Sequence, residues 1–99
     1  PRIVEPQVEP EILSMTLPLN PAWVVARDPE GRELVARWIV PGYRGELETS
    51  VQPDGEFTIF TLFLPRLPEL DGQTVSVLVF DTDPDDPQAT RFDFTVEVP

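Results

Sequence analysis

The chain has 99 residues with no cysteine, histidine or lysine, so disulfides, thiolate- or imidazole-ligated zinc sites and the Ser-His-Asp, Cys-His and Ser-Lys nucleophilic arrangements cannot be built. Eighteen acidic residues against seven arginines give a formal charge of −11. That charge repels phosphate backbones and anionic lipid surfaces and makes a cation the more natural small partner. The length suits one compact domain with a two-layer core. No apolar run approaches the roughly 18 residues needed to span a bilayer, and the sequence opens without a charged-then-apolar leader.

Thirteen prolines spread along the chain disfavour helices, and the pattern reads as short strands. Residues 1–10, with spaced prolines and glutamates, read as an extended linker preceding a domain over 11–99; the alternative is that Ile3 and Val4 pair onto a sheet edge. Residues 12–19 (ILSMTLPL) form the first expected strand, with Pro18 marking an edge or a change of sheet. Residues 22–27 form the second, followed by the turn DPEGR. In the third, residues 34–40, Leu34, Ala36, Trp38 and Val40 face inward, since burying an indole removes a large apolar area from water.

Residues 46–51 make a charged edge strand, joined by the turn QPDG to a strong strand at 57–64 (FTIFTLFL). The crossover PRLPELDG follows, with Leu67 and Leu70 plugging the bottom of the core. The clearest period-2 signal closes the chain, as Val75, Val77 and Val79 alternate in one strand and Phe92, Phe94, Val96 and Val98 in the next. Between them lies the acidic, proline-rich loop DTDPDDPQ. About seven strands with this rhythm predict an all-β, immunoglobulin-like sandwich of two antiparallel sheets, with a barrel as the alternative. An odd number of passages puts the termini at opposite poles.

Two segments, covering about half of the chain, resemble bacterial immunoglobulin-like domains of the PKD, cadherin-like and fibronectin type III-like kinds. The first is ARDPEGRELVARWIV, with Asp28, Pro29 and Gly31 in a turn before a strand bearing Trp38; the second is the closing pair, with Gly72 before its first strand and Asp81 at that strand's end. Many such domains carry a corner tyrosine where this chain has Val75, so packing of Leu67, Pro68 and Leu70 is expected to hold that corner. The resemblance implies an extracytoplasmic spacer, adhesion or protein-binding module of a larger or lipid-anchored bacterial protein, in the periplasm, on the outer-membrane surface or secreted.

Chemistry is left to carboxylates. A glycosidase needs two of them flanking a cleft, which a sandwich of this size does not offer, and the expectation is a protein that is not an enzyme. In the expected fold, Asp28, Glu30, Asp54 and the aspartates after residue 80 gather at one pole. Asp81, Asp83, Asp85 and Asp86 supply closely spaced carboxylates for calcium, which takes six to eight oxygens; no glycine or terminal glutamate of an EF-hand loop accompanies them. The alternative is that they are Asx-turn formers, partly neutralised by Arg27, Arg32 and Arg91. A second candidate is apolar. Phe57, Ile59 and Phe63 lie on one face of their strand and Phe60, Leu62 and Leu64 on the other, Leu78 and Phe80 oppose their strand's valines, and Trp23 and Val24 point opposite ways. One set must be covered by loops, a neighbouring domain or a protein partner; the isolated chain is expected to be a monomer.

Overall fold

A computed structural model describes residues 1–43, 47–85 and 88–99. It contains eight strands: β1 (Arg2–Glu5), β2 (Glu11–Ser14), β3 (Leu19–Arg27), β4 (Leu34–Ile39), β5 (Glu48–Asp54), β6 (Phe57–Pro65), β7 (Thr74–Asp81) and β8 (Ala89–Glu97). They form two four-stranded sheets, in the orders β1-β3-β6-β5 and β2-β8-β7-β4. The result is an all-β, two-sheet fold compatible with a β-sandwich. Among the described residues no helix is long and apolar enough to cross a membrane.

The strand count corrects the expected seven, and the extra strand comes from the segment expected as a linker. Ile3 stands opposite Ala26 as β1 pairs antiparallel with β3, whereas β2 pairs parallel with β8, Leu13 opposite Val96. The chain thus changes sheet between the two, across a stretch bracketed by Pro6 and Pro10, which have no N–H to give to a ladder. The first strand expected at 12–19 is correspondingly shorter, ending at Ser14. A second change of sheet follows around Pro18. There the buried side chain of Asn20 accepts from the Leu17 N–H at 3.0 Å and donates to the Leu17 carbonyl at 2.8 Å, so it replaces the backbone partners the bend removes.

The period-2 pattern fills one core from both sheets. Ala22, Val24 and Ala26 of β3 and Phe60, Leu62 and Leu64 of β6 meet Val75, Val77 and Val79 of β7 and Phe92, Phe94 and Val96 of β8. Leu34 and Val40 are buried, and Ala36 and Trp38 pack against the same cluster half-buried, as expected from their alternation. The Phe94 ring stacks on Trp38 at 5.9 Å between centroids and meets Phe92 edge-on at 5.1 Å. Leu70, in a 3-10 helix at Pro68–Leu70, is fully buried, with Leu67 packed beside it; Pro68 is exposed and does not share in holding the corner.

β5 lies at a sheet edge, as its charges suggest, and runs on to Asp54; Glu46, expected to begin it, lies outside the described residues. The turn into β6 is two residues, Gly55 and Glu56, with φ of 63° at Gly55, the type II′ pattern that favours glycine at its first central position. The molecule measures 41 × 23 × 21 Å. Pro1 lies by β8's start, its carbonyl accepting from Thr90 Oγ1 at 2.6 Å, and Pro99 lies by the crossover, its carbonyl accepting from Arg66 at 2.8 Å. The two ends of the chain therefore sit at opposite poles.

Candidate functional site: an acidic pole and an apolar sheet face

The turns after β3, β5 and β7 do converge. Leu34 pairs with Asp81, Arg27 with Phe57 and Asp54 with Phe57, and a recess of about 360 Å³ is lined by Asp28, Gly31 and Arg32 from one turn, Gly55 and Glu56 from another, and Pro53 of β5. This brings Asp28, Glu30, Asp54, Asp81 and Asp83 to one end of the molecule. Asp86 lies outside the described residues.

At that pole the carboxylates are engaged by the chain itself. Asp28 accepts from the backbone N–H of Glu30 at 2.9 Å and of Arg32 at 3.1 Å, folding the turn. Asp81, only 3% exposed, accepts through Oδ1 from the N–H groups of Asp83 at 3.2 Å and Gln88 at 3.3 Å. Asp83 in turn accepts from the Asp85 N–H at 3.0 Å. These are the Asx-type bonds that short acidic side chains make in turns. The Arg32 guanidinium then bridges outward, 2.6 Å from Glu30, 3.5 Å from Asp83 and 3.8 Å from Asp81. Among the described residues no group of three carboxylates is placed to share one metal ion.

Arg27 also belongs to this pole, 3.4 Å from Glu56. Arg91 does not neutralise it, because strand register carries its side chain to the outer face of the second sheet. There Ser76, opposite Asp93 across the ladder, donates its hydroxyl to Asp93 Oδ1 at 2.7 Å, Arg91 Nε donates to the same oxygen at 2.8 Å, and Arg91 Nη2 donates to Ser76 Oγ at 3.1 Å. The Ser76 hydroxyl first, then the Arg91 guanidinium, hold the Asp93 carboxyl below its ordinary value, against an opposing effect of burial. The two-residue repeat puts Arg91 and Asp93 on one face of their strand, but only the register brings Ser76 to them.

A depressed carboxylate pKa in the folded state contributes stability that is present above the ordinary aspartate value of 3.8 and is lost as pH falls through the lowered folded value. Asp93→Asn, which cannot carry that charge, is expected to melt below the wild type near neutral pH. The gap between the two closes on acidification below the usual carboxylate range. Thermal melts by circular dichroism across that range check this, and a gap independent of pH would refute it.

The apolar candidate is sorted as the alternation requires. Val24, Phe60, Leu62 and Leu64 are buried, while Trp23, 39% exposed, and the half-buried Val25, Phe57, Ile59 and Phe63 lie on the outer face of the first sheet. On the second sheet's outer face, Leu78 stands between its cross-strand neighbours Arg37 and Arg91, whose long stems suit covering an apolar residue. Among the described residues the first sheet has no such arginine pair beside Trp23, whose cross-strand neighbour is Thr61. Trp23, Val25, Phe57 and Ile59, with Val4, Glu5 and Asp54, line a groove of about 480 Å³ there. No protein-family model matches this chain, and a search of curated proteins likewise finds no match.

Proposed function

We propose that this chain is a non-catalytic, immunoglobulin-like module that acts as a structural spacer or protein-interaction domain of a larger or lipid-anchored bacterial protein outside the cytoplasm. The observation that carries this reading is the passage of the chain from one tip of a 41 Å long body to the other, which lets such units follow one another in line. The strand order supports the fold family. With β1 and β2 counted as one passage split between sheets, the first, second, fifth and fourth passages share one sheet and the third, sixth and seventh share the other, the arrangement of a constant-type immunoglobulin domain. The extracytoplasmic setting rests on the resemblance of the DPEG turn, Trp38 and the closing strand pair.

The geometry also says how such a spacer bears load. Pulling on the two ends loads β1 against β3 first and then shears β2 along its parallel partner β8, where four residue pairs are loaded together instead of one after another. Forced unfolding reports the unfolding barrier directly. In a tandem array stretched in a force microscope, each unit is expected to resist and then open in one step, lengthening the array by roughly 300 Å. Extension without discrete steps would sink the spacer reading. The competing reading, a calcium-stiffened adhesion domain using Asp81, Asp83, Asp85 and Asp86, predicts a higher opening force in millimolar calcium; with Arg32 already seated among the carboxylates, no change is expected.

A further inference from the structure

We propose that the groove on the outer face of the first sheet docks an extended segment of a protein partner that carries an apolar residue flanked by two basic ones. This rests on reading the chain as an interaction module and specifies the surface and the chemistry it selects. The floor is Trp23 and Val25 from β3 with Phe57 and Ile59 from β6. Trp23 is 39% exposed, an aromatic surface left in water at the centre of a largely apolar strand face. The rim is acidic on both sides, because Glu5 ends β1 at one edge of the sheet and Asp54 ends β5 at the other.

Both carboxylates are exposed, and among the described residues neither has an ion-pair partner. Of the arginines on β1 and β3, Arg27 pairs with Glu56, and Arg2 lines a separate recess with Thr90 and Phe92. Three strand spacings separate the two edges, roughly 14 Å. Basic residues four apart on an extended chain stand roughly 13 Å apart on one face, so their long side chains reach both rims while the residue midway between them meets the apolar floor.

A second copy of this chain is a poor occupant. A two-fold interface sets the same patch against itself, which would bring Glu5 and Asp54 of each copy together on molecules that each carry −11. The same net charge steers a basic segment toward the surface.

The test uses the whole chain and the blocked heptapeptide Ser-Arg-Ser-Leu-Ser-Arg-Ser, followed by the indole N–H resonance of Trp23 in nitrogen-15 spectra. The peptide is expected to shift that resonance saturably. A peptide with serine in place of leucine, and the exposed-site double variant Glu5→Gln with Asp54→Asn, should each weaken binding about tenfold, in line with one buried aliphatic side chain or two exposed ion pairs. No shift at millimolar peptide, or equal binding by the serine-centred peptide or by the double variant, would overturn the groove. Neither substitution touches β2 or β8, so the opening force is expected to stay as in the wild type. A failed titration beside intact mechanical resistance therefore removes this proposal and leaves the spacer reading standing.

Discussion

Phe94→Ala is expected to remove about 3–5 kcal/mol of stability, close to half of what a domain of this size possesses. Phe94 is 2% exposed and central to the aromatic cluster, stacked on Trp38 and edge-on to Phe92. Truncation forfeits the ring's own transfer from water and both ring pairs, each worth about 0.5–1.5 kcal/mol beyond area. It also opens a cavity between two sheets whose backbones are tied by ladders and cannot collapse into it. At about 4–8 °C per kcal/mol, the melting temperature should fall by roughly 15 °C or more. Phe94→Leu, which keeps most of the volume, should cost far less. A fall of only a few degrees for the alanine variant would mean that the two sheets do not share this core.

Leu70→Ala should cost about 2–5 kcal/mol, although the residue sits in a connection and not in a strand. The crossover from β6 to β7 is closed by this side chain, 1% exposed under the core. The surrounding backbone is pinned in series: the Gly72 N–H donates to the Val96 carbonyl at 2.8 Å, the Gln73 N–H to the Leu70 carbonyl at 2.8 Å and the Val96 N–H to the Gln73 carbonyl at 2.9 Å. With Val75 and no tyrosine at the start of β7, this packing is what positions that strand. Leu67→Ala, at a half-buried position, should cost less. Urea midpoints for the two variants test the ranking; if Leu67 proves the costlier, the corner is held from the other side.

The alternation in β6, β7 and β8 was legible because every second residue is apolar and the intervening ones are polar or needed on a second face, so the inward set follows directly from the two-residue repeat. The inward placement of Trp38 and the convergence of the acidic turns followed from the same logic. The first ten residues were harder: Arg2–Glu5 is too short and too polar for periodicity to mark it, and its strand character comes from the open edge of β3, a partner distant in sequence. Asn20 was invisible for a related reason, since its bonds complete a bend whose geometry only the change of sheet creates. At the acidic pole the sequence marked the aspartates but not their occupancy, because Arg32 reaches Asp81 and Asp83 only once β4 and β7 are paired.

The division of the first passage between the sheets has a further effect. β3 and β8, each nine residues long and rich in valine or phenylalanine, would otherwise present open rows of amides and carbonyls, the template on which foreign strands polymerise. A single stretch of fourteen residues shields Val25–Arg27 of the one with its first half and Phe94–Glu97 of the other with its second. The amino-terminal segment thereby covers the two longest would-be edges, and its loss is expected to be felt first as insolubility.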